Sequence, residues 1–278
     1  YCCPEIQKIA LELALNTVTS FTIISYSIEV LPSFVMRQNK LAKLVVHSYA
    51  DKCVFNSVKF LQKLKLTDFS ISLEGCDEQE AVTILLLTSQ GNTLKSVEMI
   101  TSRPSNLIFN SLIDAKKLQK LKIVVNDIDE YFEGIKQLTN LRELQLIKND
   151  SFEHIEHLKI LSKIKNENLV KLEILYPATV IDGLNFLAFF SNMPNLQHLL
   201  INAEVTTLLL LNVVTYMNSL KSLTFIDPKT VQIKEDVLQL VQVGNRSLKE
   251  LNMNFNPFNN SFIIFEFARK FKNLQKLS

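Results

Sequence analysis

The sequence predicts an α/β fold in which strand and helix units repeat along the chain and stack side by side. Near-copies of one peptide recur, as LQKLKL at 61–66, LQKLKI at 118–123 and LQKLS at 274–278. The apolar residues at positions one, four and six fit the start of a half-buried strand. Between the copies, apolar residues recur three and four apart, which is typical of amphipathic helices.

The strand pattern recurs at irregular intervals. Its nine full copies begin at Leu41, Leu61, Leu94, Leu118, Leu141, Leu169, Leu196, Leu220 and Leu248, and a truncated copy begins at Leu274. Successive first residues lie 20, 33, 24, 23, 28, 27, 24, 28 and 26 positions apart, and the interval of 33 indicates an insertion. Val18/Phe21/Ile23 gives a further copy. The peptide CPEIQKIAL at 3–11 also fits, but it lies too close to Val18 for both to be ordinary neighbours.

Helices are expected between the strands. They are predicted at Glu78–Ser89, Asp127–Gln137, Ser151–Lys163, Asp182–Ser191, Val205–Met217, Glu235–Val243 and Ser261–Phe271. Strands stack about 4.8 Å apart and helices about 10 Å apart, so the stack should bend with its sheet inside. The expectation is a horseshoe of about ten to eleven repeats, with a concave parallel sheet and convex helices. Residues 1–278 would form one domain, irregular over 1–40 and regular over 41–278, and the chain is interpreted as a fragment.

Composition narrows the function classes. The net charge of +2 is too near neutral to indicate a nucleic acid or a membrane as the partner. The four cysteines lie in the first third without a pairing pattern, which favours reduced thiols and an intracellular location. The sequence contains no GxGxxG or GxxxxGK motif and no recognisable nucleophilic triad. We therefore expect no enzyme, no catalytic residue and no cofactor.

A metal site is also not expected. The peptide EHIEH at 153–157 places His154 and His157 close together on a predicted helix. It lacks the HExxH spacing and a third ligand series, so a solvated helix face is the interpretation.

The concave face is predicted to be basic. The positions counted for each strand are the two residues between the first and second apolar residues, the one before the third, and the two after it. Together these positions hold twelve basic residues and six acidic ones. The hypothesis is an acidic protein partner, and the alternative is that these lysines keep the sheet soluble and block edge pairing. Tyr176 and Phe255 are candidate aromatic anchors, with loop packing as their alternative. The candidate partner-binding residues are Lys63, Lys65, Lys120, Lys122, Arg142, Lys148, Tyr176 and Phe255.

The period near 26 and the helical backs resemble leucine-rich repeats of the ribonuclease-inhibitor-like class. LPSFVMRQNKLAKLVV at 31–46 and CPEIQKIAL at 3–11 resemble the repeat region of F-box leucine-rich-repeat proteins. In leucine-rich repeats, an asparagine three residues after the third apolar position commonly bonds to the loops. Here Asn126, Asn149 and Asn256 occupy that position.

The resemblance implies the substrate-binding region of a cullin-based (SCF-type) ubiquitin ligase receptor. In that family an N-terminal F-box binds a Skp-type adaptor and the repeats select a protein substrate. Residues 1–40 contain no recognisable F-box, so the adaptor is expected only if an F-box lies upstream. The alternative is a stand-alone leucine-rich-repeat scaffold or inhibitor without a ligase role.

Overall fold

The computed structural model describes residues 18–25, 40–48, 63–73, 77–101, 105–125, 132–148, 165–181, 192–205, 213, 215–226, 246–253 and 268–278. The chain divides into two compact units, Tyr1–Val125 and Asn126–Ser278, which we call unit 1 and unit 2. Each unit is described by itself, and a single domain over 1–278 stays a prediction.

Unit 1 contains a parallel sheet with helices in its connections. In the described part, consecutive strands pair in chain order with parallel register. These strands are β1 (Ser20–Ser25), β2 (Lys43–Ser48), β3 (Asp68–Leu73), β4 (Ser96–Thr101) and β5 (Lys120–Val125). Helix α1 (Asp77–Gln90) follows β3 and helix α2 (Asn106–Ile113) follows β4, and the two helices contact each other.

Unit 2 also contains a parallel sheet. Its described strands also pair in parallel with their neighbours in chain order. They are β6 (Glu143–Lys148), β7 (Lys171–Ile181), β8 (His198–Val205), β9 (Ser222–Ile226), β10 (Glu250–Met253) and β11 (Lys276–Leu277). The short helix α3 (Phe132–Lys136) precedes β6. Strand β7 is the longest, and its register with β8 shifts between Leu175 and Val180.

The core of each unit lies on one side of its sheet. Strand residues alternate between buried and less buried positions, as in β4 and β6, because successive side chains point to opposite faces. The buried positions are aligned by the register, so Leu44 lies beside Phe69 and Val46 beside Ile71. Stacked rows of aliphatic and aromatic side chains therefore remove apolar surface from water, which stabilises the repeats.

A recurring backbone contact marks equivalent positions in the repeats. The carbonyl one residue after the first leucine accepts two N–H groups from the next repeat. Ala42 O accepts from the N–H of Thr67 at 2.8 Å and of Asp68 at 3.0 Å. Lys221 O accepts in the same way from Lys249 and Glu250. The bond to Ala42 makes Leu66 the counterpart of Leu41.

The strand predicted at Leu61/Leu64/Leu66 was therefore wrong, because the repeat begins at Leu66 and not at Leu61. Leu66, Phe69 and Ile71 form the repeat, because Phe69 and Ile71 lie beside Leu44 and Val46 in the register. The first-leucine interval from Leu41 to Leu66 is 25 and that from Leu66 to Leu94 is 28. No insertion is needed, since both intervals fall in the range of the others.

Other expectations have mixed outcomes. The repeat at Val18/Phe21/Ile23 is confirmed, because Phe21 pairs with Leu44 and Ile23 with Val46. The helix predicted at Glu78–Ser89 is confirmed as α1, and α3 lies within the helix predicted at Asp127–Gln137. Val205 was predicted to begin a helix, but it ends strand β8.

Helix α2 was missed because it has only eight residues. Its signals are the N-cap Ser105, whose hydroxyl accepts from Leu107 N–H at 3.2 Å, and a core-facing run that includes Ile108 and Leu112. The helices predicted at Ser151–Lys163, Asp182–Ser191 and Glu235–Val243, and most of the helix at Ser261–Phe271, lie outside the described residues.

Candidate functional site: the open face and its amino-terminal rim

The open face of each unit consists of the strand side chains that alternate with the buried ones. In unit 1, its first column runs through register partners Lys43, Asp68, Ser96 and Lys120. Two residues further along the strands, Glu98 on β4 lies beside Lys122 on β5. Their carboxylate and ammonium groups are 2.6 Å apart and about one-third exposed. This ion pair joins neighbouring strands and removes part of the positive charge expected here.

The open face of unit 2 is more apolar along its middle. Ile147 lies beside Leu175, and Leu200 on β8 lies beside Glu173, and all three apolar residues are half-buried. Lys171 forms an ion pair of 2.6 Å with Glu173 on the same strand. The face therefore mixes apolar contact area with a few charges, which is the usual composition of protein-binding surfaces.

We define the amino-terminal rim as the two residues before and the two after the first leucine of each repeat. In unit 1, the described rim residues include one acid, Asp68, whose carboxylate accepts from the Thr67 hydroxyl at 2.7 Å. They also include seven exposed lysines: Lys40, Lys43, Lys65, Lys95, Lys116, Lys117 and Lys120.

The rim of unit 2 is less one-sided. Its described residues include three acids, Glu143, Glu167 and Glu250. Its seven basic residues are Arg142, Lys171, Lys221, Arg246, Lys249, Lys272 and Lys276. The net positive charge of the described rim is thus larger in unit 1, because its seven basic residues are offset by one acid and those of unit 2 by three.

In unit 2, side-chain hydrogen bonds join successive rim turns. The residue just before the first leucine is Asn140, Asn168, Asn195, Ser219, Ser247 or Asn273. Asn168 Nδ2 donates to Thr139 O at 3.0 Å, and Asn195 Nδ2 donates to Glu167 O at 2.8 Å. Ser247 and Asn273 donate to the equivalent carbonyls, those of Asn218 and Arg246. We call this the turn ladder.

Sequence reasoning missed the turn ladder. It searched three residues after the third apolar position, where Asn126, Asn149 and Asn256 lie outside the described residues. The available signal was an asparagine or serine directly before the first leucine in six successive repeats.

The structure places the predicted basic residues in three environments. Lys120 and Lys122 lie on the open face of unit 1, and Arg142 lies exposed on the rim of unit 2. Lys63 and Lys65 were expected on a strand, but both precede β3. They are exposed, and Lys65 belongs to the rim.

Two candidates were placed on the wrong face. Lys148 is 3% exposed and Tyr176 is 1% exposed, so neither presents a side chain at the surface. The reason is the strand alternation: Leu146 and Ile174 point inward, and the residue two positions later returns to the same side. The expectation that Tyr176 lies near the surface was therefore wrong, and Phe255 lies outside the described residues.

Tyr176 carries a buried polar group. Its hydroxyl has no hydrogen-bond partner among the described residues. Burial raises the pKa of Tyr176 above the ordinary tyrosine value. An unpaired buried hydroxyl destabilises a fold, so Tyr176 is a structural weak point of unit 2.

The remaining sequence candidates are the two histidines of the peptide EHIEH. His154 and His157 lie outside the described residues. Within the described part, no group of three or more His, Cys, Asp or Glu residues is placed to hold a metal ion. None of the described helices has the length and apolar character needed to cross a membrane.

Comparisons with known structures identify the architecture. The chain aligns with a TLR13–ssRNA13 complex at a TM-score of 0.54 and 14% identity, covering 96% of this chain and 45% of that one. It aligns with the leucine-rich-repeat protein LegL7 from Legionella pneumophila at a TM-score of 0.51 and 14% identity, covering 97% and 85%. The fold is a leucine-rich-repeat solenoid.

This identification concerns the fold alone, since both identities are low. The chain spans about half the length of the TLR13 chain that it matches. No protein-family model matches the sequence, and a search of curated proteins gives no match. Function must therefore be argued from the leucine-rich-repeat surfaces themselves.

Proposed function

We propose that this leucine-rich-repeat chain is a non-enzymatic module that binds a protein partner on its open face. The observation that supports this most is the combination of half-buried apolar residues with flanking charges in unit 2, around Ile147, Leu175 and Leu200. Protein-binding surfaces commonly have an apolar centre and a polar edge. A regular parallel sheet also holds these side chains in fixed positions, which lowers the entropy cost of binding.

We further propose that the module is the substrate-binding region of an F-box receptor in an SCF-type ubiquitin ligase. Support comes from the repeat period and from the segments 3–11 and 31–46, which resemble that class. In this role the open face selects the substrate, and a Skp-type adaptor is a partner only if an F-box lies upstream of Tyr1. The alternative is a stand-alone scaffold or inhibitor.

Site-directed photocrosslinking in cells tests the first proposal. A photoreactive phenylalanine analogue replaces Ser96 or Thr224, which lie half-buried on the open faces of β4 and β9. The matched control replaces Leu107, which is 62% exposed on helix α2. We expect a discrete protein adduct from the open-face positions and none from Leu107. Adducts from Leu107 alone would overturn the proposal.

Copurification tests the ligase role separately. The full-length protein, including its upstream sequence, is purified from cells and probed for a Skp-type adaptor and a cullin. Recovery of both supports the receptor. Open-face adducts without adaptor recovery would instead support the stand-alone scaffold.

A further inference from the structure

The positive charge of unit 1 is concentrated at one end of its strands. The described rim holds seven lysines and one aspartate, whereas the last two residues of each strand from β1 to β5 include no charged residue. Because the strands are parallel and in register, these lysines form one edge. A field of one sign along an edge attracts an extended partner of opposite sign.

The rim lysines of unit 1 also stand where unit 2 has structural residues. The position before the first leucine is asparagine or serine in every repeat of unit 2. The equivalent residues of unit 1 are Lys40, Lys65, Thr93 and Lys117. A lysine ammonium can also donate, but it lies at the end of a long flexible stem, far from the backbone, so it is poorly suited to the short bond of the turn ladder, in which an amide or hydroxyl close to the backbone donates. Unit 1 thus lacks a stabilising contact at three of these positions, which indicates another role for the lysines.

We propose that the amino-terminal rim of unit 1 binds an extended acidic segment of a partner protein, rich in aspartate and glutamate. This proposal rests on the proposed function, because it names a chemistry for part of the protein partner. It also adds a second surface, since the rim lies at the edge of the open face and not at its apolar centre.

The dimensions of the rim fit such a segment. Neighbouring strands are about 4.8 Å apart, so the four turns from Lys40 to Lys120 span about 14 Å. This equals about four extended residues at about 3.3 Å each. Flexible lysine side chains extend the reach on both sides, so a segment of about eight residues can contact the whole rim.

The chemistry of unit 1 favours a peptide over a nucleic acid. On the open faces of β1 to β5, no outward side chain of the described residues is a phenylalanine or tyrosine. The described part of unit 1 also contains no arginine. Single-stranded nucleic acids are usually bound by stacking on aromatic rings and by arginine forks on phosphates.

Charge reversal on the complete 278-residue chain tests the proposal. The probe is a fluorescein-labelled octapeptide of alternating aspartate and glutamate, titrated by fluorescence anisotropy at 50 and 150 mM salt. One variant combines Lys43→Glu, Lys65→Glu and Lys95→Glu. The matched control combines Lys221→Glu, Lys249→Glu and Lys276→Glu on the rim of unit 2, so both variants have the same net charge. Circular dichroism checks folding, and Lys43→Gln/Lys65→Gln/Lys95→Gln serves as a milder second variant.

We expect the peptide to bind the native chain, with an affinity that falls as salt rises because the charges are exposed. The reversal in unit 1 should lower the affinity about tenfold or more, and the reversal in unit 2 less than about threefold. The neutral variant should lie between native and reversed chains.

Three results would overturn the proposal: no peptide binding by the native chain, equal losses in both variants, or tighter binding of an oligouridylate octamer than of the peptide. If photocrosslinks from Thr224, which lies outside the rim, persist in any of these cases, the proposed function stands and only the acidic-segment proposal fails. Loss of those crosslinks as well would show that both fail.

Discussion

The two units form the same turn before each strand in different ways. In unit 2, Asn168, Asn195, Ser247 and Asn273 donate from each turn to a carbonyl of the preceding turn. In unit 1, lysine occupies three of the four described equivalents. Ala42 O there accepts from the backbone N–H groups of Thr67 and Asp68, and the Thr67 hydroxyl lies 3.3 Å from the same oxygen. The difference teaches that the repeat continues without an asparagine or serine directly before the leucine, so that position is available for another purpose.

The described part of each unit nevertheless contains a buried amide that joins two repeats. In unit 1, Gln90 Oε1 accepts from Leu66 N–H at 3.1 Å. In unit 2, Asn166 Nδ2 donates to Leu138 O at 3.1 Å, and its Oδ1 accepts from Asn168 N–H at 2.9 Å. Both amides are nearly inaccessible to solvent. Buried backbone groups need partners, so these two amides satisfy groups that water cannot reach, whereas the turn ladder joins exposed turns.

The largest expected effect comes from removing a buried amide. Asn166→Ala leaves Leu138 O and Asn168 N–H without their side-chain partner, and we expect the free energy of unfolding to fall by about 2–3 kcal/mol. Gln90→Ala in unit 1 should cost about 1–2 kcal/mol, since one backbone N–H loses its partner. Urea unfolding followed by circular dichroism measures both.

The control for these variants is Asn252→Ala, which changes an exposed asparagine of β10. Its effect should stay within about 0.5 kcal/mol. An equal loss in Asn252→Ala and Asn166→Ala would contradict the distinction between buried and exposed amides.

The next effect concerns the inward-facing residue that lies two positions after the third apolar residue of a strand. That position holds Thr101 in unit 1, whereas in unit 2 it holds Lys148 and Tyr176. Tyr176→Phe removes a buried hydroxyl that has no partner in the described part of the chain, so we expect stability at neutral pH to rise by about 1–2 kcal/mol.

The pH dependence of this variant has a definite sign. Burial raises the pKa of Tyr176 in the folded state, so the unfolded chain ionises first, from about pH 10. Stability is therefore lost as pH rises above about 10, and Tyr176→Phe should reduce that loss. Tyr216→Phe, an exposed change, is the control. Lower stability of Tyr176→Phe at neutral pH would mean that the hydroxyl is bonded in solution.

The sequence predicted the repeat architecture because its signal is periodic. Leucine spacing near 26 residues and the alternation of apolar positions identify parallel strands regardless of exact loop lengths. The error at Leu61 arose because 61–66 and 66–71 both fit the strand pattern. The outlying interval of 33 was the sign that the wrong one had been chosen.

The surface was predicted less well than the core. Lys148 and Tyr176 were placed on the concave face by counting two residues past the third apolar position, Leu146 or Ile174, although a period of two returns that residue to the core. Applying the alternation to the end of the strand would have corrected both. The turn ladder was harder to foresee, because a short polar side chain before a leucine is also common in ordinary turns.

Exchanging the rim residues tests the comparison directly. Lys117→Asn places an asparagine directly before the first leucine of its repeat, as Asn195 is in unit 2. The carbonyl of Asn92 in the preceding repeat is the equivalent of Glu167 O, which accepts from Asn195 Nδ2, so the new side chain is expected to donate to Asn92 O. We expect the free energy of unfolding to rise by about 0.5–1 kcal/mol, the usual net value of one hydrogen bond. The same change should weaken binding of the acidic octapeptide about twofold. Asn195→Lys should have the opposite effect on stability, with a loss of about 0.5–1 kcal/mol.

If Lys117→Asn failed to stabilise while Asn195→Lys destabilised, then the turns of unit 1 would differ in backbone geometry and not only in side chains. Thermal unfolding of the two single variants and the double variant separates these cases. The two sites lie in different units, so independent effects should add.

The smallest expected effect distinguishes the two ion pairs. Glu98 and Lys122 are 24 residues apart and meet only when β4 and β5 pair, whereas Lys171 and Glu173 lie two residues apart on one strand. The second pair is already close in the unfolded chain, so part of its attraction is present in both states. A double-mutant cycle with Glu98→Gln and Lys122→Met should give about 0.2–0.5 kcal/mol of coupling, a value that allows for solvent screening. The cycle at Lys171 and Glu173 should give less, and 0.5 M salt should reduce both. Equal or larger coupling between Lys171 and Glu173 would show that the ion pair between strands is not favoured by strand pairing. The charges of Glu98 and Lys122 would then contribute nothing specific to the stability of the sheet and would be available to bind a partner.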